Sequence, residues 1–338
     1  MSDFESTEHN NRFGAVITGT GSFTPEKVLT NADLEKMVET TDEWITTRSG
    51  IKERRIADKE TAASDLSFEA TKKAMAEAKI KPEELDLILI GTVTPDYLLP
   101  STACILQDRL GAKNAAVMDI VAACSGFLYG LSVAQAFIYS GKYKTILVIG
   151  VEVLSKITNW NDRNTCVLFG DGAGAAIVQR TQENNKGILA TYLCGDGSLA
   201  NLLHIPVGGT RTPLTKENID KGDQYIKMEG SEVFKSAVRS MEDAATRALK
   251  EANISAEQID LLIPHQANIR IIEATAKRLK LPMEKVFVNI DKYGNTSAAS
   301  IPIALDEARK SGRIKPGDIT LLVAFGAGFT WGSAVIRW

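Results

Sequence analysis

A chain of 338 residues is long enough for about two domains, or one large doubled one, and can bury a sizeable apolar core. Hydrophobic residues make up 44% and charged residues 24%, which excludes a disordered, collagen-like or coiled-coil chain. Lys plus Arg number 39 against 42 Asp plus Glu, and the net charge of −3 leaves no general basic footprint for nucleic acid. In chain order, the polar opening MSDFESTEHNNR lacks the apolar core of a secretory signal. No apolar run approaches the roughly 18 residues of a membrane-spanning helix. A strand is predicted over 15–18, a helix over 65–78, and strands over 85–91 and 115–120. A helix over 126–139 leads to strands over 145–151 and 174–179. A long helix over 231–252 is followed by a strand over 259–263, a helix over 269–280 and a strand over 286–289. A helix over 301–311 and a strand over 320–324 complete the pattern. Several strands are continuous Val/Ile/Leu runs, as expected where both faces are buried. The alternation predicts an α/β protein with mostly parallel sheets.

The chain also repeats itself. SFEATKKAMAEAKIKPEELDLILIG, from Ser67, and SAVRSMEDAATRALKEANISAEQIDLLIPH, from Ser236, both read as helix, turn and strand. Ala116-Val117-Met118-Asp119-Ile120 lies over Val286-Phe287-Val288-Asn289-Ile290, and Ser140-Gly141-Lys142 with TILVIG lies over Ser311-Gly312-Arg313 with ITLLVAFG. Blocks in the same order are hard to obtain by accident, and the period is too long for a solenoid. The reading is two similar α/β halves, 1–185 and 186–338, packed as a pseudo-dimer. A site is expected at their junction, near the carboxyl ends of parallel strands.

Four cysteines, with no Cys-x-x-Cys pair, suit neither a disulfide scaffold nor a zinc site. A reducing cytoplasm is the default compartment. Cys124 stands between a strand ending near Ile120 and a helix beginning near Ser125. The helix end is expected to lower its pKa and favour a nucleophilic thiolate. The alternative is a small buried cysteine that fills space, which is how Cys104, Cys166 and Cys194 are read. Of three histidines, His9 is read as a bystander and His204 as a satisfied core residue. His265 closes a strand before a polar Gln-Ala-Asn loop, which aims its imidazole at the junction unless it is merely structural. Asn295 lies in a segment that overlays the Cys124 turn, although Gly294-Asn295-Thr296 alone could be a helix cap. The small residues after Phe325 let backbone N–H groups approach a reacting oxygen. Phe169-Gly-Asp-Gly-Ala-Gly174 opens a strand rather than a helix, which argues against a dinucleotide loop. Thr18-Gly-Thr-Gly lacks a third glycine and a clear helix.

Six motifs in order carry a resemblance across nearly the whole chain. They are Thr41-Asp-Glu-Trp-Ile-Thr-Thr-Arg-Ser-Gly50-Ile, Ala122-Ala-Cys-Ser-Gly126, Phe169-Gly-Asp-Gly-Ala-Gly174, Pro264-His-Gln-Ala-Asn268, Gly294-Asn-Thr-Ser-Ala-Ala-Ser300 and Phe325-Gly-Ala-Gly-Phe-Thr-Trp331. Together they resemble β-ketoacyl-acyl-carrier-protein synthase III, the initiating condensing enzyme of type II fatty-acid synthesis. The resemblance implies a thiolase-like fold of duplicated halves in α-β-α-β-α layers, and a homodimer. It implies a decarboxylative Claisen condensation of a short acyl-CoA primer with malonyl-acyl-carrier protein. Cys124 is then the acylated nucleophile, and His265 and Asn295 stabilise the enolate. Backbone N–H groups of Cys124 and Ala327 form the oxyanion hole, in a glycine loop where Ala327 departs from the family's usual third glycine. Trp44, Arg48 and Arg163 match positions that grip the CoA adenine. Gly230, Phe234 and Asn268 match the pantetheine tunnel, with Ser231 standing where an Asn is familiar. Phe325 shapes the pocket. Leu99 gates the acyl pocket across the dimer, and being smaller than an aromatic it admits a somewhat larger primer. Lys235, Arg270 and Lys277 suggest a docking patch for the acidic carrier protein, or else an ordinary solvated face. No cofactor or metal is expected, since the CoA thioester is a substrate, and no nucleic acid or membrane partner. A relative with the same triad but another primer and carrier stays open. A degradative thiolase is disfavoured because the C-terminal glycine loop has no cysteine, and a silent binding subunit because all three site residues are present.

Overall fold

The computed structural model describes residues 13–183 and 185–338; His9 lies outside them. The first half runs β1 (Gly14–Phe23), α1 (Ala63–Ala78), β2 (Leu87–Gly91), α2 (Thr102–Leu110), β3 (Ala116–Ile120), α3 (Gly126–Tyr139), β4 (Thr145–Val153) and β5 (Asp171–Thr181). The second runs β6 (Gly187–Gly195), α4 (Gly230–Glu251), β7 (Leu261–Pro264), α5 (Ile269–Arg278), α6 (Ser300–Lys310), β8 (Ile319–Gly326) and β9 (Thr330–Arg337). Their sheets have matching orders, β1-β5-β4-β2-β3 and β6-β9-β8-β7. The counterpart of β3 survives only as a bridge between Leu262 and Val286. The strand expected over 286–289 is therefore not formed: a turn at Met283–Lys285 delivers the chain to the sheet edge, and a short helix, Ile290–Tyr293, takes it away again.

The sheets are mixed rather than mostly parallel. Strand β2 pairs parallel with β3 and β4, and β7 pairs parallel with β8, but β5 and β9 run antiparallel to both of their neighbours. The cause is visible between β8 and β9, where a loop over 327–329 is too short for any crossover.

Side-chain alternation builds the layers. On β4, Ile146 and Val148 face a central core, while Leu147, Ile149, Val151 and Val153 face α1 and α2 on the outside. The central core takes Phe127, Leu128 and Leu131 from α3, and Ile301, Ala304 and Leu305 from α6. Leu262, Leu321 and Val323 turn from the second sheet to α4 and α5 on its outer face. The result is helix, sheet, helix, sheet, helix. Each large side chain sealed in these layers contributes about 1.5–3 kcal/mol of transfer free energy. The pairing brings the amino ends of the two central helices together at the carboxyl ends of the parallel strands.

Candidate active site

The two central helices begin in the same unusual way. In the first half a tight turn, Ala123–Ser125, precedes Gly126; in the second, Ser297–Ala299 precedes Ser300. Ala123 (φ 44°) and Ser297 (φ 46°) enter these turns in the left-handed region that L-residues avoid, and such strain collects at functional sites. The matched turns refine the expected overlay. Cys124 is the structural counterpart of Ala298, and Asn295 enters upstream, in the place that Val121 holds in the first half.

Each turn is held by the other half. Thr330 on β9 donates its hydroxyl to the Ala122 carbonyl at 2.8 Å, and Ser125 donates to the Thr330 carbonyl at 3.1 Å. Conversely, Asn295 N–H donates to Leu168 at 2.8 Å, and Gly170 N–H donates to Asn295 at 3.0 Å. The Phe169 glycine motif is thus a structural clamp. A Cβ on Gly170 would stand 2.3 Å from the Tyr293 carbonyl, and Asp171 ties in Ala57 and Ser155.

Cys124, His265 and Asn295 meet at one cavity of about 170 Å³, which Gly230, Phe234, Asn268 and Phe325 also line. Cys124 opens on it half-buried, its thiol free. The expected lowering of the thiol pKa is not what results. Burial pushes it up to about 12, against opposing help from the Ser297 hydroxyl and the backbone N–H. The resting group is a thiol, and a base is needed to release its proton. Gly326 presses its backbone on this residue: a Cβ there would lie 2.6 Å from Cys124 N.

His265 is 2% exposed, and desolvation brings its pKa down to about 3, so the imidazole is neutral. Its Nδ1 lies 2.6 Å from Ser300 Oγ. Gln266 N–H donates to the same oxygen at 3.4 Å, and among the described residues the Ser300 hydroxyl has no acceptor other than Nδ1, so it is assigned as the donor. That donation assigns the ring proton to Nε2, which is then a donor. The Asn295 amide is ordered likewise. Its Oδ1 accepts Ser297 N–H at 2.8 Å, which leaves Nδ2 as the free donor. Two neutral donors and a thiol therefore share one apolar cavity.

A second cavity of about 240 Å³ meets Cys124 from another side, between Val93, Leu154, Ile157, Phe169, Leu203 and Ile226. Ala327 lines it, whereas Phe325 lines the first cavity and stacks edge-on against Phe329 with ring centres 4.7 Å apart. His204 is not the satisfied core residue expected. It is half-buried at this second cavity, and its Nδ1 has no partner. Leu99 lines neither cavity of its own chain and is 87% exposed on the loop before α2.

Away from the thiol, Arg48 and Arg163 both place their guanidinium carbons 4.7 Å from the Trp44 ring centre. Trp44 and Arg48 lie on the short helix Asp42–Ser49, which Asn268 fastens to the cavity by donating to the Arg48 carbonyl at 2.9 Å. Asn268 also caps α5, a role the sequence pattern did not reveal. Lys235, Arg270 and Lys277 are exposed; Lys235 pairs with Glu232, and Arg270 stacks on Phe234 at the rim. Glu152, Ser297 and Ser300 were not foreseen as site residues. Glu152 had a signal, as an acid inside an otherwise apolar strand, but the predicted strand ended one residue short of it.

A doubled α/β fold that aims groups from both halves into one cavity is the thiolase-like arrangement of condensing acyltransferases. Comparison with known proteins narrows this. The family described as 3-Oxoacyl-[acyl-carrier-protein (ACP)] synthase III matches residues 118–197, and its C-terminal part matches residues 249–338. A beta-ketoacyl-[acyl-carrier-protein] synthase III from Caldanaerobacter subterraneus subsp. tengcongensis is 60% identical, covering 97% of this chain and 98% of the relative. One from Desulfitobacterium hafniense is 55% identical, over 95% and 97%. The crystal structure of 3-oxoacyl-[acyl-carrier-protein] synthase III from Aquifex aeolicus VF5 matches with a TM-score of 0.89 at 54% identity, over 96% of this chain and 100% of that one. The chain belongs to the beta-ketoacyl-[acyl-carrier-protein] synthase III family.

Proposed function

We infer that this acyltransferase performs the initiating condensation of fatty-acid synthesis, joining a short acyl-CoA primer to malonyl-acyl-carrier protein with loss of carbon dioxide. The observation that carries the reading is the convergence of Cys124, His265 and Asn295, drawn from both halves, on one cavity. Cys124 attacks the primer thioester and becomes acylated. His265 Nε2–H and Asn295 Nδ2–H then donate to the malonyl thioester oxygen, and the enolate left by decarboxylation forms against two fixed donors. Its carbon attacks the acyl-Cys124 carbonyl, whose oxygen is held by the N–H groups of Cys124 and Ala327. The apolar cavity beside Cys124 suits the primer's alkyl chain.

Trp44 with Arg48 and Arg163 suits a purine, which an aromatic ring and planar cations hold by stacking. Trp44→Ala is expected to raise KM for acetyl-CoA about tenfold with little change in kcat; an unchanged KM in steady-state assays removes the adenine role. Arg270, Lys235 and Lys277 offer positive charge at the rim to the acidic carrier protein. The edge strand β3 is half-exposed, with Met118 41% exposed on it and Val121 81% exposed just beyond it, and Leu98 and Leu99 are exposed as well. This unpaired apolar edge favours a homodimer in which the partner's Leu99 reaches the primer cavity. Among the described residues no helix is long and apolar enough to cross a membrane, and free cysteines suit the cytoplasm. The test is to supply acetyl-CoA with malonyl-carrier protein and follow the 3-ketoacyl product. Formation of acetoacetyl-carrier protein is expected; no product with acetyl-, propionyl- or isobutyryl-CoA overturns the reading.

A further inference from the structure

Attack by Cys124 requires a base, and the three site residues offer none. His265 is neutral, with Nδ1 taken by Ser300 and Nε2 protonated, and an amide does not accept a proton. One buried acid lies nearby. Glu152, fully buried on β4, faces the central layer in register with Ile146 and Val148. It is held from both halves. Thr94 donates its hydroxyl at 2.7 Å, Val93 its N–H at 3.1 Å and Thr92 its hydroxyl at 3.3 Å. From the second turn, Ser297 donates its hydroxyl to Glu152 Oε1 at 3.1 Å. Ser297 lines the second cavity together with Cys124, and its hydroxyl opposes the burial that raises the thiol pKa. Ser297 thus stands between the cavity that Cys124 opens on and the buried Glu152 carboxyl, with exchangeable protons on all three groups.

We propose that Glu152 takes the Cys124 proton through Ser297 during acylation, holds it through the acyl-enzyme stage, and returns it when condensation releases the thiolate. This rests on the condensing role given above. As the sulfur bonds to the primer carbonyl, the S–H proton passes to Ser297 Oγ and the Ser297 proton passes to Glu152. The bond to the CoA sulfur breaks, and CoA departs as a thiolate that takes its proton from solvent. In condensation the new carbon–carbon bond forms and the bond to Cys124 breaks. The thiolate then recovers a proton from Ser297, and Glu152 restores that of Ser297. The one proton consumed per cycle is the solvent proton on CoA.

The electrostatics favour this path. Ionised Glu152 raises the Cys124 pKa, so a thiolate beside a carboxylate is disfavoured, and transfer removes one charge as the other forms. Burial lifts the Glu152 carboxyl to about 7, where an acid can both accept and return a proton near neutrality.

The test separates the two half-reactions in the full-length enzyme. In Glu152→Gln, transfer of labelled acetyl from acetyl-CoA is expected to slow about 100-fold and to lose its rise with pH near neutrality. Decarboxylation of malonyl-carrier protein without primer, which uses His265 and Asn295, is expected to keep the wild-type rate. Ser297→Ala, which keeps the acid but cuts the path, is expected to give the same split, and it decides the matter if the first variant does not fold. Acylation at the wild-type rate in the folded variants overturns the proposal. So does a parallel fall in both half-reactions, which marks Glu152 as merely shaping the turn shared with Asn295. A wild-type enzyme that takes no acetyl group overturns the condensing role along with it.

Discussion

Cys124→Ser leaves no protein-bound label after incubation with labelled acetyl-CoA, where the wild type takes about one acetyl group per chain. The loss in condensation is expected to exceed about 1,000-fold. Two features make it large. The serine hydroxyl is a weaker nucleophile than sulfur and starts from a higher pKa. The position is also desolvated, and burial already lifts the native thiol to about 12, so an alkoxide there is costlier still. The variant keeps its fold, because a hydroxyl fits where the half-buried sulfur stood. Its decarboxylation of malonyl-carrier protein continues, since His265 and Asn295 are untouched. Acid precipitation after incubation reads the first result, and stoichiometric label on the serine variant defeats the assignment.

The converse pattern is expected when the donors are removed. His265→Ala and Asn295→Ala each acylate normally from acetyl-CoA but release carbon dioxide from malonyl-carrier protein about 100–1,000-fold more slowly. The magnitude follows from preorganisation. Ser300 fixes the imidazole tautomer and Ser297 N–H fixes the Asn295 amide, so both donors stand ready before charge develops. Little water competes for that charge in a cavity lined largely by apolar side chains. Timed release of labelled carbon dioxide measures the effect, and an unchanged rate in both variants removes these two residues from the chemistry.

Much of this was legible from the chain. Periodicity placed α3 over the residues it occupies, because its ends are marked by a strand-to-helix turn and by Ser140-Gly141. The internal echoes paired β2 with β7 and α3 with α6, and so brought Cys124 and Asn295 to the approaches of matching helices, although Asn295 stands upstream of the turn that matches the Cys124 turn. Other features depended on partners distant in sequence. Strands β6 and β9 were missed because their mixed runs, GILATYLCG and TWGSAVIR, gain definition from pairing with neighbours in the sheet, whether distant or adjacent in sequence. The parallel expectation failed because alternation of helix and strand does not report strands joined by short loops. The thiol pKa went the other way because a helix end was weighed without the desolvation that packing imposes. Ser300 and Ser297 read as small residues beginning a helix, and only the fold shows what their hydroxyls meet.

Each turn that carries a reacting group takes its backbone partners from the opposite copy: Thr330 for Cys124, and Leu168 with Gly170 for Asn295. Through this reciprocal bracing each half completes the backbone around the other's reacting group. Either half produced separately is expected to lack the contacts that shape its own reacting segment, so a substitution on one half's surface bears on the other half's chemistry.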